Sequence, residues 1–194
     1  MIKDYITDSL STTEKLLNLM ANDADLIDSV STAINVICNC LQNDNKLMFC
    51  GNGGSAADAQ HMSAEFVARF DFERPGLAAI ALTTDTSALT AIGNDYGFDR
   101  LFARQIEALG KKGDVLIAYS TSGSSRNILQ GMKIAREKLI TVIGLTGRQK
   151  QAEAMVTLCD IAIQIPSEST PRIQEGHLAV GHILCGCVEK SLFS

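Results

Sequence analysis

Five short apolar runs, each closing in small or turn-forming residues, constrain this chain most: Lys46–Cys50, Leu77–Thr83, Asp114–Ser120, Ile140–Thr146 and Ile161–Ile165. They are strand-sized and rich in β-branched residues, and they read as strands covered on both faces. Helical patterns separate most of them. These lie at Ser55–Phe70, in a pair between Ser87 and Gly110 interrupted around Gly93–Gly97, at Ser125–Lys138 and at Lys150–Leu158. Parallel neighbours need a long crossover, which a helix supplies. The expected fold is α/β, a three-layer sandwich with a five-stranded parallel sheet flanked by helices.

Two helical patterns fall outside this alternation. One runs from about Tyr5 to Gln42, broken near Asn22–Asp23, and the other from about Thr170 to Leu192. In the first, Leu16, Leu17, Met20, Ile27, Val30 and Ile34 recur at helical spacing and must bury their face, either on another subunit or within the same one. The whole reads as a single domain, 1–194, with an N-terminal helical segment over 1–45 and an α/β core over 46–194 that includes the C-terminal helix.

At 194 residues the chain can bury a sufficient core without disulfides or a structural metal. The six cysteines, Cys38, Cys40, Cys50, Cys159, Cys185 and Cys187, suit small core fillers in a reducing compartment better than a disulfide framework or a metal site. A net charge of −5, a sequence pI near 5.2 and no basic run longer than Lys111–Lys112 argue against nucleic acid or an anionic membrane as partner. No segment reads as a membrane span or a signal peptide, so the expected location is the cytoplasm and the expected partner is a small polar molecule.

Ligands of an open parallel sheet bind beyond the carboxyl ends of its strands, so the residues after each run carry the chemistry. The first such loop, Cys50–Asp58, reads CGNGGSAAD and opens a helix at Ser55. Its free amides suit a phosphate or a sugar oxygen. No Lys-Ser/Thr pair follows the glycines, so it is not an ATP-type loop. A dinucleotide fingerprint is approximated by Gly51, Gly53 and Ala56, but the acidic residue due at the end of the next strand is missing, and a plain tight turn is a further reading. The second loop, Ser120–Ser125, holds five hydroxyls in six residues. That is a phosphate cup built without Lys or Arg, or else a helix cap with a solvated turn. The third, Ile92–Asp99, places Asn94 and Asp95 between glycines, for sugar hydroxyls or as turn chemistry.

His61 and Glu65, four apart on the helix that starts at the first loop, share one face. They make a hydrogen-bonded surface pair, or a proton-transfer or metal-binding pair beside a sugar phosphate. Gln174 and His182 are eight apart on the C-terminal helix and reach one centre only if that helix crosses the site obliquely. His177 reads as structural or surface.

Four segments carry a resemblance over nearly the whole chain: CGNGGSAADAQHMSAEFVARF (Cys50–Phe70), ERPGLAAIALTTDTSALTAIGNDYGF (Glu73–Phe98), GDVLIAYSTSGSS (Gly113–Ser125) and RIQEGHLAVGHIL (Arg172–Leu184). In these the chain resembles the sugar isomerase (SIS) domain superfamily and, within it, the bacterial phosphoheptose isomerases that act on sedoheptulose 7-phosphate. The resemblance implies phosphate on Ser55, Ser120, Ser122 and Ser125. It implies the sugar against Asn52, Gly53, Gly54, Asn94, Asp95, Thr121 and Gln174, with Arg69 contributed by a neighbouring subunit. Glu65, which also contacts the substrate, and His182 match the family's proton-transfer pair. His61, Glu65, Gln174 and His182 match the zinc ligands of its metal-containing members. The expected cofactor is zinc, one per subunit, with no nucleotide, and the expected assembly is a homotetramer with sites at subunit interfaces. Pro171 stands where some heptose isomerases have an Asp. The alternative reading is a non-catalytic SIS-domain relative, an adaptor of the replication initiator or a sugar-phosphate-sensing regulator, set against by the retention of Glu65 with His182.

Overall fold

A computed structural model describes all 194 residues. Five parallel strands form one sheet: β1 (Leu47–Cys50), β2 (Ala79–Ala81), β3 (Val115–Tyr119), β4 (Thr141–Gly147) and β5 (Ile161–Ile165), in the order β2-β1-β3-β4-β5. The alternation of side chains across the sheet divides the core in two. Leu47 and Phe49 of β1 join the larger cluster under the helices α1 (Ile2–Ala21), α2 (Ala24–Gln42), α3 (Gly54–Val67) and α8 (Thr170–Phe193). Met48 and Cys50 face the cluster covered by α5 (Leu101–Leu109), α6 (Arg126–Glu137) and the short α7 (Glu153–Val156). The sheet is thus covered on both faces, as its apolar runs require.

Asn22 and Asp23 do separate two helices. Asn22 ends α1, and the Asp23 carboxylate accepts from the Leu26 amide at 3.1 Å to open α2. The two-sided demand of the N-terminal helices is met within the subunit on one side. Leu16, Met20, Leu26, Val30, Ala33 and Ile37 are buried, while Leu17, Ile27 and Ile183 stay substantially exposed along an open apolar groove between α1, α2 and α8. By length and composition α2 is the one helix that could cross a bilayer, but its apolar residues Leu26, Val30, Ala33 and Ile37 belong to the core. All six cysteines are free, and burial pushes the Cys50 thiol up to about 12.

Two expectations are corrected. The second strand is only Ala79–Ala81, shorter than the apolar run Leu77–Thr83. Asn94 and Asp95 do not sit in a loop: α4 (Thr86–Tyr96) passes through Gly93 and places both in its last turn. The Asp85 carboxylate caps α4 by accepting from the Ala88 amide at 2.9 Å. A single interior glycine costs only about 1 kcal/mol and does not stop a helix. The stop comes at Gly97, whose φ of 83° is left-handed.

A buried ion pair closes the far end of the α3–α8 contact. The side chains of Arg74 and Glu189 are 2% and 1% exposed, with Arg74 Nε donating to Glu189 Oε1 at 2.9 Å. Every remaining group has a partner. The guanidinium donates to the carbonyls of Glu65, Phe66, Ala68 and Pro75, and the carboxylate accepts from the Phe70 and Asp71 amides at 2.9 and 2.6 Å. Burial pushes the Glu189 carboxyl up, but these amide bonds and the guanidinium outweigh it and hold it below its ordinary value. The stabilisation the pair gives is therefore present above the ordinary carboxylate range and fades as pH falls through the lowered value. Removing one partner strands the other charge in the core: Glu189→Ala should destabilise the protein by about 3–5 kcal/mol, read as a shift in urea denaturation at fixed protein concentration.

Candidate active site

The strand order reverses at β1. From it the chain crosses to β2 on one side and returns through α4 and α5 to β3 on the other, so the loops after β1 and β3 lie side by side at the carboxyl ends of adjacent strands. Such a switch point is where open α/β sheets bind ligands. The reciprocal amide pair between Asn52 and Asn127, 2.8 Å in both directions, bridges the first loop to the first turn of α6, which follows the second. In the first loop, Gly53 takes a φ of 58° and leads into α3 with no side-chain cap, while the Ser55 amide donates to the Asn52 carbonyl at 3.1 Å and the Ala56 amide to the Gly53 carbonyl at 3.0 Å, so the loop turns tightly into the helix. Ser55 is buried at that start.

In the second loop the Ser120 hydroxyl accepts from the Gly123 amide at 3.1 Å and lies 3.4 Å from Ser125 Oγ, and Ser124 donates to Ser122 at 3.0 Å. Thr121 adds a backbone carbonyl that accepts from Gly147. Ser125 stands at the N-cap of α6 but its side chain makes no capping bond. Capping alone does not account for the hydroxyls. They rim the N-terminus of a 12-residue helix, whose dipole favours an anion.

α3 and α8 run side by side in the same direction. Gln174 lies against Gly54, where a Cβ would come within 2.5 Å of Gln174 Nε2, and Gly181 against Met62, where a Cβ would come within 2.5 Å of the sulfur. This close approach brings His61, Glu65 and His182 together. His61 Nε2 is 3.1 Å from Glu65 Oε1, and its ring meets that of His182 edge-on at 5.3 Å between centroids. Phe70 backs His182 at 5.6 Å. Gln174, eight residues before His182, is held about 12 Å away along α8, at the start of α3. Asn94 and Asp95 are exposed and hydrogen-bonded to each other at 2.8 Å, and Arg69 pairs with Glu73 at 3.7 Å on the surface. None of these three touches the cluster.

Sequence reasoning missed four residues. Asn127 is 75 residues from the partner it orients, and nothing local announces it. Arg74 and Glu189, 115 apart, have the same defect. Asp58 could have been found, because Asp58, His61 and Glu65 follow i, i+3, i+7 on one face of α3. Its Oδ2 is buried without a partner, and burial pushes its carboxyl up while nearby His61 lowers it. His177 is structural: it is fully buried, packs edge-on against Tyr119 at 5.7 Å, and burial lowers it to about 4.

A SIS domain model matches residues 11–147. The phosphoheptose isomerase of Burkholderia pseudomallei (strain 1710b) is 52% identical over 189 residues, 97% of this chain and 95% of that protein. The phosphoheptose isomerase of Aneurinibacillus thermoaerophilus is 48% identical over 192 residues, 99% of this chain and 94% of that protein. The solved structure of phosphoheptose isomerase GmhA from Neisseria gonorrhoeae superposes with a TM-score of 0.91 at 40% identity, covering 98% of this chain and all of that one. The chain belongs to the phosphoheptose isomerase family of SIS-domain proteins. It is a sugar-phosphate isomerase, and the adaptor and regulator readings fall away.

Because His177 is held neutral, its ring signals should not titrate between about pH 8 and 5 in an NMR titration. The sign follows from its lowered value: the stability that depends on its burial is complete above the ordinary 6.5 and is lost as pH falls toward about 4.

Proposed function

We propose that this isomerase converts sedoheptulose 7-phosphate to D-glycero-D-manno-heptose 7-phosphate through an enediol, with Glu65 and His182 as the proton-transfer pair. The observation that carries the assignment is the contact of His61 with both Glu65 and His182 on two helices, one of which begins at an amide-rich loop. Glu65 takes the proton from C1 of the ketose. The electron pair of that bond forms the C1–C2 double bond, and the carbonyl electrons move onto O2. Glu65 then returns the proton to C2 while His182 moves a proton from O1 to O2, leaving the aldehyde at C1. C1 is oxidised and C2 reduced, with no external electron acceptor. Ser55, Ser120, Ser122 and Ser125 hold the phosphate, and Asn52, Gly53, Gly54, Thr121 and Gln174 meet the sugar.

Zinc is the metal we propose for His61, Glu65, Gln174 and His182. Two imidazoles and a carboxylate suit it. As the side chains stand, no three His, Cys, Asp or Glu groups are close enough to hold an ion; His61, Glu65 and His182 are near one another, whereas Gln174 lies against Gly54 about two turns away along α8 and fits the set least well. When bound, zinc would polarise the substrate carbonyl. No step above is routed through it. If the assignment holds, the purified protein carries about one zinc per chain by elemental analysis, and His61→Ala loses it with a fall in melting temperature; full metal content in His61→Ala would remove that residue from the set.

A second copy of the chain is the occupant we propose for the groove of Leu17, Ile27, Ile34 and Ile183, in a cytoplasmic homotetramer. The separation of Ser55 from Glu65 supports sites completed across subunits: the two are ten residues apart, about 15 Å along α3. Ile183→Asp should shift the protein to a smaller species in light scattering and lower activity with it.

The direct test is turnover of sedoheptulose 7-phosphate by Glu65→Gln. It should lose about 10²–10⁴-fold in kcat while still binding the sugar phosphate, since the amide keeps the shape but cannot take a proton. Unchanged turnover would remove Glu65 from the mechanism.

A further inference from the structure

The residues after α3, Ala68–Leu77, fold back under the catalytic cluster, and the pair buried there does more than fill space. Arg74 Nη2 donates to the carbonyl of Glu65 itself at 2.8 Å, and Nη1 to that of Phe66 at 2.7 Å. These are carbonyls of the last turn of α3, which has no further helix to bond them. The guanidinium thus caps the end of the helix that presents Glu65, with the charge sign the dipole favours. Its Nε bonds Glu189, which lies seven residues after His182 on α8 and so on the same face, two turns along. The carboxylate of Glu189 in turn takes the amides of Phe70 and Asp71, and Phe70 is the ring that backs His182. Two short paths therefore join the backbone of Glu65 to the ring of His182. One runs through Arg74 and Glu189 along α8, the other through Glu189 and Phe70.

We infer that Arg74 and Glu189 are positioning residues for the isomerisation: by tying the Glu65 carbonyl to α8 they set the position of Glu65 relative to His182. Neither touches substrate, being 2% and 1% exposed. A fork of five donors in one plane is what the arrangement uses, because one guanidinium serves Glu189 and four carbonyls at once. A lysine ammonium keeps the charge and has three donors, so Arg74→Lys leaves part of this set unmade and lets the last turn of α3 shift. The inference rests on the assignment of Glu65 to the carbon-bound proton. A displacement of about 1 Å at a reacting group costs roughly 10²-fold in rate.

The experiment compares wild type, Arg74→Lys, Glu189→Asp and Glu65→Gln, each normalised to folded protein by circular dichroism and matched for oligomeric state. Steady-state kinetics are measured with sedoheptulose 7-phosphate carrying either hydrogen or deuterium at C1. For Arg74→Lys the expected result is a fall in kcat of about 10- to 100-fold, with KM within about twofold and a larger deuterium isotope effect on kcat, since cleavage of the carbon–hydrogen bond becomes slower. Glu189→Asp, which shortens the same tie by one methylene, should move the same quantities in the same direction, and it decides the matter if Arg74→Lys does not fold. A purely structural pair would lower stability but leave kcat and the isotope effect per folded molecule at the wild-type values, and that result overturns the inference. Glu65→Gln separates the two readings: if it retains turnover the base assignment has failed, whereas its loss beside unchanged kcat in both tie variants removes Arg74 and Glu189 alone.

Discussion

The side-by-side packing of α3 and α8 is what the rest of this molecule depends on. Each helix supplies one half of the proposed proton-transfer pair, Glu65 from α3 and His182 from α8, and neither half is useful without the other. The helices approach closely because Gly54 and Gly181 leave room for Gln174 and Met62, and because a fully bonded ion pair closes the far end. A buried ion pair is a poor way to gain stability, since the cost of desolvating two charges offsets most of their attraction. Its use here lies in direction: hydrogen bonds fix an angle and a register that apolar packing does not.

The sheet contributes the other half of the site. Placing β1 between β2 and β3 makes the chain leave in opposite directions from adjacent strands, which opens the crevice where the Asn52 and Ser120 loops meet. The loop proposed to hold the phosphate, Ser120–Ser125, contains no lysine or arginine and offers hydroxyls at the start of α6 instead. Neutral donors suit a substrate that must be released after each turnover.

Much of this was legible in the sequence, for reasons that differ by element. The five strands announced themselves because burial on both faces demands unbroken apolar runs, and the break at Asn22–Asp23 because its capping chemistry is local. His61 and Glu65 could be paired because helical spacing alone puts them on one face. Asn94 and Asp95 were misplaced into a loop because a glycine in mid-helix looks like a stop when its φ is not known. The second strand was read too long because apolar residues at Leu77 and Leu82 serve the core from outside the ladder. What sequence could not reveal is what depends on contacts between distant residues: the Asn52–Asn127 bridge, the Arg74–Glu189 tie, and the level along α8 at which each side chain meets α3.

Whether Glu65 and His182 act as one unit is tested most directly by a double-mutant cycle on kcat with Glu65→Gln, His182→Ala and the two combined. Residues that share one proton-transfer step are not additive, so the double variant should turn over no more slowly than the slower single variant. Losses that multiply, as they do for independent positions, would contradict the convergence of these two helices on a single reacting centre.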